Sequence, residues 1–175
     1  VAKPRKMLNN WEAPYIQALI RQIETQSKTT LATWAIDYSE DVLVPIWNKH
    51  FPGDRRPISS IYSAREWLSG RIKLPEAKRV ILLCHQAARE ADGVPSAQAA
   101  ARAIGQSAST IHSARHCIGL PLYGALAVAY DRIGSDAKWE TVEKEAADEC
   151  ERMLRSLRLL SRSDEKNPAK ITWHC

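Results

Sequence analysis

Apolar residues recur along this chain at intervals of three and four, and no run alternates in the manner of a β-strand. A first helix is predicted over residues 11–25, capped by Asn10 and carrying Pro14 in its first turn. A second covers 29–50 with the stripe Leu31, Ala35, Tyr38, Val42 and Ile46, and Pro45 must kink or divide it. After the loop that begins Phe51-Pro52-Gly53-Asp54, Pro57 starts a short third helix ending near Ser69, with Gly70 as its stop. The fourth begins near Pro75 and buries Ala77, Val80, Ile81, Cys84, Ala87, Ala88 and Ala91. Asp92-Gly93-Val94-Pro95 breaks it, and Ser96 is placed to cap a fifth helix over 96–118. Eleven Ala, Gly or Ser residues between Ala97 and Ala114 leave that helix small on nearly every side, which suits a central position closely approached by neighbours. Gly119 and Pro121 bend the chain into a sixth helix ending near Ile133. The last, over 136–161, places its acids early and Arg152, Arg155 and Arg158 late, as the helix dipole favours. The pattern predicts an all-α fold: one domain over 1–161, with six to seven helices in an irregular orthogonal bundle around the small-residue helix. Residues 162–175 read as a C-terminal extension whose Trp173 can dock back.

Composition changes this picture little. The 175 residues are 45% hydrophobic and 26% charged, a globular balance that argues against disorder. Six tryptophans against one phenylalanine make indoles the bulky core fillers, and each buried indole N–H then needs an acceptor. Charge is more informative. The net +5 is unevenly spread: residues 51–90 hold eight Lys or Arg against four acids, whereas 136–151 hold seven acids against Lys138 and Lys144. Such polarity suits an acidic partner, protein or nucleic acid, or else only solvated helix faces. Cys84, Cys117, Cys150 and Cys175 are widely spaced, without a Cys-x-x-Cys pair, and read as core residues or free thiols of a reducing compartment. The first ten residues contain no apolar signal core, and the chain starts at Val1, so trimming or another start stays open. The longest apolar run, 118–130, falls short of the roughly 20 residues of a membrane span. The expectation is a soluble, cytoplasmic protein without membrane span or cofactor, and of undetermined oligomeric state.

The candidate chemistry lies in polar residues at core-like spacing. His85 and Arg89 border the stripe of the fourth helix beside Lys78 and Leu82. On the fifth, the stripe Ala97, Ala100, Ala101, Ile104, Ala108 and Ile111 runs on into Arg115, with His112 beside it and His116 one turn further. A cation at a core position needs a carboxylate or several carbonyls; Asp37 and Asp41 are the expected counter-charges, with Glu66 behind. Three readings stay open. The groups form a buried hydrogen-bonded framework, or a pocket that grips a partner's charges, or a metal or acid–base site. His112 and His116 with His85 could in principle bind zinc, but they lack the glutamate of the zinc-protease motif and carry an adjacent arginine. Asp37 and Asp41 are the corresponding acid–base pair. Trp34, Trp47 and Trp67 read as core rather than as a stacking platform. Arg55 and Arg56 before Pro57 could meet phosphate, although loop arginines are common. No Walker motif or nucleophile elbow is present, and no catalytic residue is assigned.

One further pattern spans the chain from Leu31 to Ile133. It contains Leu31-Ala-Thr-Trp-Ala-Ile-Asp37, Val42-Leu-Val-Pro45, Asp54-Arg-Arg-Pro57, Ala64-Arg-Glu-Trp67 with Gly70, Glu76-Ala-Lys-Arg79, His85 and Ala88-Arg89, Ala101-Arg-Ala-Ile-Gly105, and Ile111-His112 with His116. In order and spacing this resembles a family of small all-α bacterial proteins, the putative immunity proteins associated by context with polymorphic-toxin systems. The chain departs from that pattern at Gln106 and Ser107, where a histidine is expected after Gly105, and at Tyr38, where a small residue or cysteine is expected. The resemblance implies a non-enzymatic protein that binds and neutralises a partner toxin. Its contact or framework candidates are Asp37, Arg56, Arg65, Trp67, His85, Arg89, His112, Arg115 and His116. The alternatives are a helical enzyme, small-ligand or metal protein using the His/Arg pocket, and a nucleic-acid binder using the basic central third.

Overall fold

A computed structural model describes residues 2–174; Val1 and Cys175 lie outside it. All regular structure among the described residues is helical. The order is α1 (Pro14–Ile23), α2 (Lys28–Tyr38), a π turn (Ser39–Leu43), α3 (Val44–His50), α4 (Arg56–Leu68), α5 (Leu74–Glu90), α6 (Pro95–Ser109), a 3₁₀ turn (Ala114–Ile118), a second π turn (Leu120–Ala125), α7 (Leu126–Ile133) and α8 (Trp139–Leu160).

Local chemistry explains most boundaries. Ser27 caps α2 by accepting the Thr30 N–H. Pro45 neither breaks the second helix nor simply kinks it. A proline lacks the N–H and crowds the carbonyl four residues back; the backbone widens ahead of it, and the Val44 N–H reaches back five residues to Ser39. Pro121 instead lies at the start of the second wide turn, where its missing N–H has no partner to lose. Gly70, at φ 78°, ends α4; its N–H bonds to Trp67 O while the Arg71 N–H bonds to Glu66 O.

Three boundaries differ from the sequence reading. Asn10 does not cap α1: its carbonyl accepts the Ala13 N–H in a turn, and the helix starts at Pro14. Val94, not Ser96, precedes the first residue of α6, because Pro95 takes the opening position where its missing N–H costs nothing. Most consequentially, α6 stops at Ser109 instead of reaching 118. The His112 and Ser113 N–H groups both return to Ser109 O, and the chain then tightens into the 3₁₀ turn.

The small-residue helix α6 is central, as its composition requires. From Ala97 to Ser109 only Arg102 and Gln106 escape full burial. Around it packs a core of Ile16, Leu19, Leu31, Trp34, Ile61, Ile104, Ile111, Leu126, Met153 and Leu157, among others. Buried indoles are satisfied: Trp34 donates to Met153 O and Ser156 Oγ, and Trp47 to Asp54 O. Cys84, Cys117 and Cys150 are buried free thiols, each pushed up in pKa by that burial; the reading of Cys175 falls outside the described residues. Beyond α8 the described residues have no regular structure, yet they are anchored. Arg162 and Ala169 bond to Gln26, Trp173 Nε1 donates to Glu24, and the Trp173 ring meets Trp11.

Candidate functional site

Helices α5 and α6 are antiparallel neighbours joined by a four-residue turn, and small side chains set how near they come. Ala97, Ala101 and Gly105 form a row at i, i+4, i+8 on α6. Ala97 and Ala101 pack with Ala87 and Ala88 of α5, and the Cys84 thiol reaches Ala101 O at 3.4 Å. At Gly105 no side chain stands between the helices. A β-carbon there would stand 2.6 Å from His85 Cε1, so the missing side chain is the space the imidazole occupies.

Where α6 ends, this seam opens into a cleft of about 320 Å³ lined by Lys78, Ile81, Leu82, His85, Gln106, Ser109, His112 and His116. The early stop of α6 builds it. The chain folds back through 110–113, which brings the His112 and His116 rings edge to face with centroids 5.2 Å apart. Gln106 Oε1 lies 2.9 Å from His116 Nδ1 and fixes that ring from α6. His112 Nδ1 is buried without a hydrogen-bond partner, an orphaned polar atom of the kind that native interiors rarely tolerate.

All three imidazoles are held below their ordinary range, first by burial. Arg102 and Arg89 add to this at His85, and Lys78 and Lys28 add to it at His112. His116 is driven furthest, to about 4, with His112, Arg115 and His85 contributing. The rings are therefore neutral at pH 7, in a cationic surround. No carboxylate is among the described residues that line the cleft. Nor do any three His, Cys, Asp or Glu side chains among the described residues group closely enough to hold a metal ion, so the His85, His112 and His116 set does not amount to a coordination site.

The other candidates are not among the residues that line the cleft. Arg115 lies on the exposed side of the 3₁₀ turn, because the turn displaces it from the stripe a continuous helix would have given. Asp37, the expected counter-charge, receives Arg65 Nη2 at 2.8 Å, while Arg65 Nη1 bonds Glu40, tying α4 to the end of α2 and the π turn after it. Asp41 is exposed. Arg89 is exposed rather than bordering the core, and acts on His85 only through its charge. Arg56 makes a fork to Asp54 and continues to Glu90, clamping the start of α4 to the end of α5, so it is committed within the protein. Trp67 is half-buried against the core, with Lys28 Nζ 5.9 Å from its ring.

Two features escaped the sequence reading. Gln106 was seen only as a departure from a pattern, yet it is part of the cleft wall; the polar row Arg102, Gln106, Ser109 on an otherwise apolar helix was the available signal. The second is Glu149. It is 1% exposed, accepts the Tyr38 hydroxyl and Arg152 Nη1, and lies 3.6 Å from Arg132. Tyr38, the second departure, thus has a structural task in α2.

The outer side of α5 continues the cleft. Lys78, Leu82, His85 and Arg89 follow one another at i, i+4, i+7, i+11, and Leu82 is 64% exposed on the rim. Across the molecule, α8 exposes Glu140, Asp148 and Glu151. Among the described residues no helix is long and apolar enough to cross a membrane. In comparison with known proteins, a family model described as Imm-5 like putative immunity protein matches residues 21–156. No curated protein and no solved structure matches the chain.

Proposed function

The chain belongs to the Imm-5 like putative immunity protein family, and from that premise we propose that it is a binding protein that neutralises a partner toxin by covering it, without turnover. The carrying observation is the α5 rim. An exposed leucine, Leu82, stands between Lys78 and Arg89 at the mouth of an open cleft that contains no carboxylate among its described lining residues. A solvated apolar anchor within a cationic border is the composition of an interface core and rim. The charge selects an acidic face on the partner and speeds encounter. His85, His112 and His116 are the contact candidates; Lys78, Leu82 and Gln106 join them. Asp37, Arg56, Arg65 and Trp67 support the reading differently, as the framework that holds α4 against α2 and α5. We place the complex in the bacterial cytoplasm, where an immunity protein meets a toxin made in the same cell.

The test is co-expression with the toxin domain encoded beside this gene. The reading expects restored growth and a one-to-one complex in solution. It also expects Lys78→Glu and Leu82→Asp, both at exposed positions, to abolish protection while leaving the thermal midpoint unchanged. Full protection by both variants would remove the α5 rim from the interface. Absence of any complex with that toxin domain would remove the reading itself.

A further inference from the structure

The cleft unites three imidazoles with a surround that keeps them unprotonated. The charges acting on the rings come from every side and are cationic: Lys78 and Arg89 on α5, Arg102 on α6, Lys28 on α2 and Arg115 on the 3₁₀ turn. An imidazole so placed gains most from a nearby negative charge, which would raise its proton affinity and offset the cations at once. The donors are also in place. With Gln106 Oε1 engaged by His116 Nδ1, the Gln106 amide Nε2 is left to donate, and Lys78 and Ser109, both residues with donor groups, line the same cleft. The Ile81 and Leu82 side chains line the remainder, giving an aliphatic stem an apolar surface to lie on. No arginine lines the cleft, and the planar forks that favour phosphate are therefore missing from its described walls.

We propose that this cleft receives a single carboxylate side chain, an aspartate or glutamate of the partner, and takes up one proton from solvent as it does so. This rests on the cleft being a partner-facing surface, as argued above. The step is a proton transfer: the carboxylate enters as an anion, an N–H bond forms on one imidazole to give imidazolium, and the buffer acid that gives up the proton is left as its conjugate base. Since the free rings are neutral at pH 7, binding and protonation are coupled. For one proton the affinity rises by up to about tenfold per pH unit as pH falls, and levels off once the free rings protonate.

The isolated protein suffices for the test, with N-acetyl-glutamate amide as the probe, N-acetyl-glutamine amide as its neutral control and inorganic phosphate as a third arm. Imidazole carbon-bound protons are followed by NMR through pH titrations with each. The glutamate probe is expected to raise the midpoint of at least one of His85, His112 and His116, and the glutamine probe to raise none. The glutamate probe should bind at least about fivefold tighter at pH 5.5 than at pH 7.5. Lys78→Ala should weaken it, and His116→Asn should flatten its pH dependence. Midpoints unmoved by the glutamate probe, equal movement with the glutamine control, or tighter binding of phosphate than of the glutamate probe would each overturn the proposal. None of these outcomes touches the toxin-binding reading, which stands or falls on the co-expression experiment.

Discussion

Gly105 and His85 are fitted to one another: a methyl group at 105 would lie 2.6 Å from the imidazole Cε1 and 2.8 Å from Nδ1. The obstacle is the end of a side chain on the rim of an open cleft, so the ring can swing outward. Alanine in place of a helical glycine gains roughly 0.5–1 kcal/mol of backbone preference. Gly105→Ala should therefore leave stability within about 1 kcal/mol of wild type, the two effects largely cancelling. The site should nonetheless change. With its ring moved toward water, His85 should titrate closer to its ordinary 6.5, and toxin protection should weaken. NMR titration of His85 together with urea unfolding separates these outcomes; an unmoved His85 midpoint would contradict the fit.

Gly119 offers a contrast. A β-carbon there would meet Gln106 Cβ at 2.3 Å and Cγ at 2.6 Å, and Cβ is fixed to the α6 backbone and cannot rotate away. Gly119→Ala should destabilise by about 1–3 kcal/mol as an overpacked site. Because Gln106 holds His116, the substitution should also disturb the His116 resonance. Denaturant unfolding at neutral pH checks the first expectation, and a neutral substitution would show that the 3₁₀ turn yields.

The Tyr38 hydroxyl donates to the carboxylate of Glu149, a residue 1% exposed, and this contact joins α2 to α8. Removing the donor alone leaves a buried carboxylate short of a partner, so Tyr38→Phe should cost about 1.5–3 kcal/mol. Glu149→Leu leaves the hydroxyl orphaned and should cost a similar amount. The double variant removes both polar groups and should cost clearly less than the sum of the two. A double-mutant cycle by urea unfolding measures this, and strict additivity would mean the pair is not energetically coupled.

Acid should destabilise the protein through the cleft. His85, His112 and His116 are all held below 6.5 when folded, His116 at about 4, by burial and surrounding cations. Between those values the unfolded chain binds more protons than the folded one, so stability rises with pH there. The contribution is complete above about pH 6.5 and is lost as pH falls through the folded values. His116→Gln has no imidazole to protonate and should show a shallower loss of stability between pH 6.5 and 4. Urea midpoints over that range give the slopes, and equal slopes would mean that His116 does not carry the linkage.

The helical rows, the stop at Gly70, the disturbance at Pro45 and the central place of the alanine-rich helix were all legible in the sequence. Each depends on near neighbours: a period of three to four, a glycine with positive φ, a ring without an N–H, or side chains too small to keep other helices away. His85, His112 and His116 were legible as candidates because imidazoles at the edge of an apolar stripe stand out. Arg115 was misplaced for one reason. The apolar pattern through Ile111 continues smoothly, while the backbone leaves the α-helix at Ser109.

Which polar groups meet was settled only by tertiary structure. Gln106 reaching His116, Tyr38 reaching Glu149 across 111 residues, and Arg65 choosing Asp37 and Glu40 follow from how close and at what rotation the helices pack. Sequence periodicity states which face of a helix leaves water. It is silent on which face it will touch, because that choice is made by the shape and volume of every other side chain competing for the same interior.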